Sequence, residues 1–252
     1  MHNLREELLE KLRFLNLTSM SQAFEVTALR AAKESLSHEA FLLELMRTEC
    51  DAKLRRRYDR LHKQSAMLSG KTFETLDLKQ YSPAIRKQIA DLQSADFIKD
   101  ATNIIAIGRP GSGKSHMACA IGHQLVEQGI AVYFTTTAAL VQRLLAAKRD
   151  LRLPQEMIKL DRFECLILDD IGYVQHDRDE MEVFFTLLAE RYERKSVIIT
   201  TNLVFSEWDQ IFKNPMTTLA AIDRVVHHSI VLDLMSVESY RAKTAVTAKK
   251  AS

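Results

Sequence analysis

At 252 residues, 46% of them hydrophobic and 27% charged, the chain exceeds one average domain and has room for a larger domain plus a smaller module. A net charge of only +2 excludes any argument for nucleic-acid binding from the total, so only the distribution of charge is informative. The three cysteines, Cys50, Cys119 and Cys165, lack C-x-x-C spacing, and two lie in runs expected to be buried, which excludes a structural zinc site and points to a reducing compartment. The opening residues Met1 to Glu7 carry mixed charge where a signal peptide has an apolar core, and no run approaches membrane-spanning length; a cytoplasmic protein without membrane contact is expected.

Leu4, Leu8, Leu9, Leu12 and Leu15 recur at helical steps with charges between them, which predicts an amphipathic helix. Met20 to Ala32 repeats the pattern more weakly. Ser37 is placed to cap a long helix through Phe41, Leu42, Leu45 and Met46 toward Met67. Residues 1–69 are therefore expected as a small all-helical domain making DNA, oligomer or partner contacts. Within it Lys53, Arg55, Arg56, Arg57, Arg60 and Lys63 have only Asp59 as counterweight. Such a cluster suits a phosphate backbone or an acidic protein surface. On a helix these cations spread around most of the circumference, so the expected contact is with the backbone of DNA and not specific to sequence. Gly70 and the polar stretch Thr72 to Lys79 predict a linker, and Pro83 starts a helix to about Leu92; residues 70–100 are read as linker and lead-in helix.

From there the texture changes to short β-branched runs alternating with helical stretches: Asn103 to Ile107, Ala131 to Thr135, Cys165 to Leu168, Val197 to Thr200 and Ile230 to Leu232. Five such strands with crossover helices predict an α/β core with a parallel sheet over residues 101–240. Residues 241–252 are a basic tail, expected to be disordered. Ligands of such sheets bind beyond the carboxyl ends of the strands, where several motifs fall.

Gly108-Arg109-Pro110-Gly111-Ser112-Gly113-Lys114-Ser115 fits G-x-x-x-x-G-K-[ST] and follows the first strand. A phosphate chain needs backbone N–H groups at close range, a cation and a hydroxyl for Mg²⁺, which the glycines, Lys114 and Ser115 supply. The helix beginning at His116 directs its N-terminal dipole at the phosphates. The third run delivers Asp169 and Asp170 to its C-terminal end. Asp169 is the residue for the metal opposite Ser115, and Asp170, expected one residue beyond the strand, is placed to orient and deprotonate a water. Asn202 ends the fourth run: it either holds the attacking water against the γ-phosphate or simply begins a turn. Arg224 lies before the last strand. It is either a solvated or salt-bridged helical arginine, or one that reaches the γ-phosphate of a neighbouring subunit.

Gly108 to Ser115, Asp169-Asp170-Ile171-Gly172-Tyr173, Arg191-Tyr192-Glu193-Arg194, Thr201-Asn202-Leu203, Phe205-Ser206-Glu207-Trp208 and Asp223-Arg224-Val225-Val226-His227-His228 together closely resemble the IstB family. These are the ATP-binding helper proteins of bacterial insertion sequences, related to the DnaC helicase loader and the DnaA initiator within the AAA+ ATPases. The resemblance spans nearly the whole chain. It implies an AAA+ P-loop NTPase that uses ATP and Mg²⁺, assembles as a homo-oligomer on double-stranded DNA with ATP sites shared between subunits, deforms the target and recruits or stimulates a cognate transposase. Slow, DNA-stimulated ATP hydrolysis would act as a timer. By resemblance, Lys114 and Ser115 are the pair at the phosphates, Asp169 the metal-site carboxylate, Asp170 the residue usually filled by glutamate, Asn202 sensor 1 and Arg224 the arginine finger. Only a short segment follows Arg224, so the small helical lid is expected to be absent or vestigial, with Arg241 a weak substitute for its second sensor.

The stretch Ala138 to Lys159 is longer than a simple crossover and carries Arg143, Lys148, Arg149, Arg152 and Lys159. Resemblance to the initiators implies an extra helix there facing DNA. Lys148, Arg149 and Arg152 span little more than one helical turn and can reach successive phosphates; the alternative is a solvated basic face. Other readings of the phosphate loop are a DnaC-type replicative helicase loader, a non-hydrolysing ATP-gated DNA clamp, and a nucleotide or small-molecule kinase. For the kinase neither an acceptor pocket nor an arginine-bearing lid is visible.

Overall fold

The computed structural model describes residues 4–172, 178–210 and 225–239. The chain divides into two compact units, Met1–Arg60 and Leu61–Ser252.

The first unit holds α1 (Leu4–Phe14), α2 (Thr18–Glu34) and most of α3 (His38–Ser65). The Ser37 hydroxyl accepts the Ala40 N–H at 3.2 Å, as its predicted capping role requires. Leu12, Met20 and Leu45 form a small core, against which the Phe24 and Phe41 rings meet edge to face at 5.9 Å. Glu49 is buried there, accepting the Met20 N–H at 2.9 Å and the Arg56 guanidinium at 2.9 Å. Burial pushes its carboxyl up, but the Met20 N–H and Arg56 together hold it below the ordinary carboxylate value.

The second unit is built on a five-stranded parallel sheet in the order β2-β3-β4-β1-β5. Its strands are β1 (Asn103–Ile107), β2 (Val132–Thr136), β3 (Cys165–Ile171), β4 (Ser196–Thr201) and β5 (Ser229–Asp233). Helices α4 (Pro83–Leu92) and α5 (Asp96–Lys99) precede the sheet, and α6 (Lys114–Glu127), α7 (Thr137–Arg149), α8 (Leu153–Leu160) and α9 (Arg178–Arg191) connect strands. Both faces of the sheet are covered, which is why β1, β3 and β4 read as continuous apolar runs. Alternation sends Ile104, Ala106, Ile167 and Ile198 into the core with Met117 and Ile121 of α6; Ile105, Ile107, Leu166 and Ile199 enter the opposite core with Leu144 of α7 and Phe184 of α9.

Two features depart from the sequence expectation. First, β3 continues past Leu168 to Ile171, so Asp169 and Asp170 lie within the strand, at an irregularity of the β3–β4 register between Leu168 and Ile171. Threonine hydroxyls of β4 sustain the irregularity: Thr201 Oγ1 donates to the Ile171 carbonyl at 2.9 Å, and Thr200 engages both aspartates. Second, the expected linker is packed structure. Leu76 and Tyr81 are buried, a turn of 3₁₀ helix spans Leu78–Gln80, and Thr75 Oγ1 donates to the Gly70 carbonyl at 2.7 Å. Arg191 is buried, and its guanidinium donates to the carbonyls of Phe163, Glu164 and Ser196 at 3.0, 3.2 and 3.1 Å. It ties the entrances of β3 and β4 to the end of α9.

Among the described residues no helix is long and apolar enough to cross a membrane. The tail 241–252 and the question of a lid lie outside the described residues.

Candidate functional site

In the strand order β3, β4 and β1 are neighbours, so the segments leaving their C-terminal ends are brought side by side. They enclose a cavity of about 370 Å³ whose walls include Gly113, Lys114, Ser115, Asp170 and Asn202. Gly111 and Gly113 turn the loop with φ of +84° and +92°, in the left-handed region that glycine enters without steric cost. A side chain at Gly113 would also meet the Tyr81 hydroxyl at 2.2 Å. The loop is tied to the sheet by the Gly108 N–H, which donates to the Thr201 carbonyl at 3.1 Å.

Lys114 is buried, and its ammonium donates to the carbonyls of Gly108 at 2.6 Å and Arg109 at 3.1 Å. Its charge is thereby held inside the loop curvature. Ser112 is buried with its hydroxyl unpartnered among the described residues. Arg109 and Pro110 are exposed; Pro110 and Gly111 line the cavity. His116 also lines it, with Nε2 within 3.0 Å of Thr75 Oγ1 and 3.1 Å of the Thr72 carbonyl.

The two aspartates are set by one hydroxyl. Thr200 Oγ1 donates to Asp169 Oδ1 at 2.6 Å and accepts the Asp170 N–H at 2.9 Å. Asp169 is buried; Thr137 Oγ1 donates to its carbonyl at 3.2 Å. Asp170 has φ of +58°, which turns its exposed side chain away from the core face and into the cavity wall. Asn202 Oδ1 is buried and has no hydrogen-bond partner among the described residues, an acceptor suited to a water or a ligand proton.

No group of three or more acidic, histidine or cysteine ligands occurs among the described residues. Mg²⁺ at a nucleotide takes one or two protein ligands and completes its shell with water and phosphate oxygens. Ser115 and Asp169, a hydroxyl and a carboxylate, are hard oxygen donors chemically fit for such a site.

Two sets of residues escape sequence reasoning. In the sequence Thr200 only ends an apolar run; its bonds to Asp169 and Asp170 arise when β4 pairs with β3. The segment before the sheet supplies Lys71, Thr75, Asp77 and Gln80 to the cavity wall, and the Tyr81 hydroxyl donates to the Ser112 carbonyl at 3.3 Å. Burial pushes Tyr81 up to about 12.

The expected DNA-contacting cations are placed unevenly. Arg143 pairs with Glu156, donates to the Tyr133 hydroxyl at 3.0 Å and lies over the Tyr133 ring. Lys148 is 3.0 Å from Glu182 and 3.6 Å from Asp179 of α9, and Arg152 pairs with Asp150. Arg149 is exposed and forms no ion pair with a described residue. In the first unit Lys53, Arg55, Arg57 and Arg60 are exposed on α3, whereas Arg56 serves the buried Glu49. Arg224 and Arg241 lie outside the described residues.

The family described as IstB-like ATP binding protein matches residues 10–248. A Sinorhizobium fredii protein named for insertion-sequence ATP binding, y4iQ/y4nD/y4sD, is 39% identical over 94% of this chain and 79% of its own length. Its counterpart of insertion sequence IS21 from Pseudomonas aeruginosa is 36% identical over 96% and 90%. Among solved structures, a DNA replication initiation factor superposes with a TM-score of 0.59 at 15% identity, over 73% of this chain and 56% of that one. The DnaC helicase loader gives 0.54 at 20% identity, over 64% and 96%. AMPPCP-bound DnaA from Aquifex aeolicus gives 0.57 at 15% identity, over 73% and 56%. At these identities the structures establish the fold alone, the AAA+ P-loop fold expected from the resemblance.

Proposed function

We propose that this chain, which belongs to the IstB-like ATP-binding protein family, binds ATP with Mg²⁺ in the cavity at Gly108 to Ser115, hydrolyses it slowly, and in its ATP state assembles on duplex DNA to assist a transposase. The observation that supports the reading is the Thr200 hydroxyl, which binds the buried Asp169 carboxylate and the backbone N–H of Asp170, the latter on the wall that Lys114, Ser115 and Asn202 share.

In this reading the loop N–H groups and Lys114 hold the β- and γ-phosphates, whose charge the buried ammonium offsets. Ser115 and Asp169 hold Mg²⁺, which supplies charge neutralisation at the phosphates. Asp170 accepts a proton from the attacking water, and Asn202 Oδ1 orients that water. Arg224 completes the site of a neighbouring subunit, so one fold leaves the γ-phosphate half enclosed until subunits associate. Arginine fingers of this kind contribute about 10³ to 10⁵ in rate. The curated relatives are named for insertion sequences, which supports a transposase as partner. Contact with DNA is assigned to α7–α8 and to the exposed cations of α3, through phosphates and without base readout.

The test is ATP turnover with and without duplex DNA, beside the lifetime of the protein–DNA complex. Lys114→Ala abolishes nucleotide binding and ATP-dependent assembly. Asp170→Asn binds ATP, loses turnover and lengthens the life of the DNA complex, because assembly needs the γ-phosphate and release needs its hydrolysis. An Asp170→Asn complex as short-lived as wild type contradicts the timer. Phosphoryl transfer to a nucleoside or sugar replaces the reading with a kinase, and co-purification with a replicative helicase in place of a transposase replaces it with a loader.

A further inference from the structure

Among the described residues of the second unit, the two large apolar side chains more than half exposed both lie on the α7–α8 element: Leu151 at 88% and Ile158 at 62%. Leu151 also carries a backbone anomaly. The Arg152 N–H donates to the Ala147 carbonyl at 2.7 Å and the Leu151 N–H to the Lys148 carbonyl at 3.1 Å. This is the paired hydrogen bonding of a Schellman helix end, in which the residue at Leu151's position adopts the left-handed conformation and is ordinarily glycine or asparagine. Leu151 has φ of +56°, and it is the one large apolar residue among the described non-glycine residues with positive φ.

The position therefore carries a double cost: backbone strain that glycine would relieve, and an apolar side chain left in water. The helix-end hydrogen bonds would form equally with glycine, and the apolar cost is not offset inside the unit, since the side chain is almost fully exposed. Strain retained at an exposed tip points to something outside the chain that the side chain meets.

The chemistry around the tip says what. Lys148, Arg149 and Arg152 flank Leu151 with Asp150 as the single anion. Arg149 forms no ion pair with a described residue, and the Arg152–Asp150 and Lys148–Glu182 pairs are solvent-exposed, so they exchange for phosphates at little cost. A branched aliphatic group standing within a cluster of cations matches a surface that is anionic at its edges and apolar between them. Duplex nucleic acid has that character: phosphates border a groove floored by stacked bases, and aliphatic wedges that enter a base step unstack it and kink the duplex.

We propose that Leu151 is an apolar wedge that α7–α8 inserts between base pairs of duplex DNA while the neighbouring cations hold the flanking phosphates. The proposal rests on the assignment of α7–α8 to DNA contact and adds how the duplex is deformed: by unstacking at a tip, without reading sequence.

The test uses the full chain with ATP, Mg²⁺ and duplex oligonucleotides that carry 2-aminopurine, whose fluorescence rises on unstacking, with end-labelled copies reporting bending by energy transfer. Wild type raises the fluorescence and brings the ends together. Leu151→Gly and Leu151→Asn bind with an unchanged salt slope but lose both signals, and their melting temperatures stay level or rise by about 2–4 °C as the strain is relieved. Wild-type binding without a rise in fluorescence, or variants that unstack and bend DNA as wild type does, overturns the wedge and leaves the DNA assignment standing. Wild type that does not bind the duplex overturns both. Variants that lose self-association while deforming DNA normally assign Leu151 to contact with a second copy and also overturn the proposal.

Discussion

Replacing Thr200 by valine keeps its shape and removes one hydroxyl, which isolates the group that holds both aspartates. Thr200 is fully buried, donating to Asp169 Oδ1 at 2.6 Å and accepting from the Asp170 N–H at 2.9 Å. The bond to the carboxylate is charge-assisted and contributes about 1.5–3 kcal/mol, and the neutral one about 0.5–1.5 kcal/mol. Their loss is expected to lower stability by about 2–4 kcal/mol. At about 2–4 °C per kcal/mol for a chain of this size, the melting temperature falls by roughly 4–16 °C. Function is expected to suffer differently. The loop and Lys114 are untouched, so affinity for ATP stays near wild type. Asp170 loses the restraint on its backbone, and a shift of about 1 Å at a catalytic group costs on the order of 100-fold in kcat. Steady-state hydrolysis, nucleotide binding and thermal melting on Thr200→Val and Thr200→Ser measure all three. The serine variant keeps the hydroxyl and is expected to recover most of kcat. A Thr200→Val protein that melts as wild type and hydrolyses ATP at its rate refutes the reasoning, because the bridge would then contribute nothing.

Tyr81 gives a prediction with a sign in pH. Its pKa is raised by burial from 10.0 to about 12, so the folded state keeps a proton that the unfolded chain releases near pH 10. The stability it contributes is complete below pH 10 and is lost as the pH rises from about 10 to about 12, an effect on the order of 2 kcal/mol. Tyr81→Phe is expected to flatten that part of the stability profile in denaturant titrations; an unchanged alkaline slope refutes the assignment. Within α7–α8 the cations separate by readout. Arg149→Ala is expected to reduce the slope of log affinity against log salt by about 0.9, with melting unchanged. Arg143→Ala is expected chiefly to destabilise, because it strips Glu156 of a partner in a buried position. The reverse pattern in salt titrations and melting curves would exchange the two roles.

What the sequence discloses and what it hides divide along the range of the interactions. The phosphate loop is a contiguous pattern, and β1 is found over Asn103–Ile107 as expected because both its faces are buried and its run is unbroken. Helix α4 is found over Pro83–Leu92, where a Ser82 cap and a proline in the first turn mark its start. The continuation of β3 through Asp169 and Asp170 was hidden, since it depends on hydroxyls of a strand that pairs only after folding. The same holds for the stretch before Pro83: Phe73, Leu76, Leu78 and Tyr81 follow neither a helical nor a strand period, and a polar spacer and a packed wall look alike until the sheet is present to bury them. The cations of α7 show the converse. Their clustering was visible, but Glu156, Glu182 and Asp179, which engage Arg143 and Lys148, lie on other helices.

The backbone at Asp170 suits an aspartate. The β3–β4 irregularity forces this residue to φ of +58° while its N–H stays bonded to Thr200. Aspartate is enriched several-fold in that region, because its short carboxylate is tolerated there and bonds locally. Here the backbone itself turns the residue into the cavity wall. The short side chain and the irregular strand are therefore one feature. Its set point is Thr200, whose hydroxyl holds the Asp169 carboxylate and the backbone N–H of Asp170.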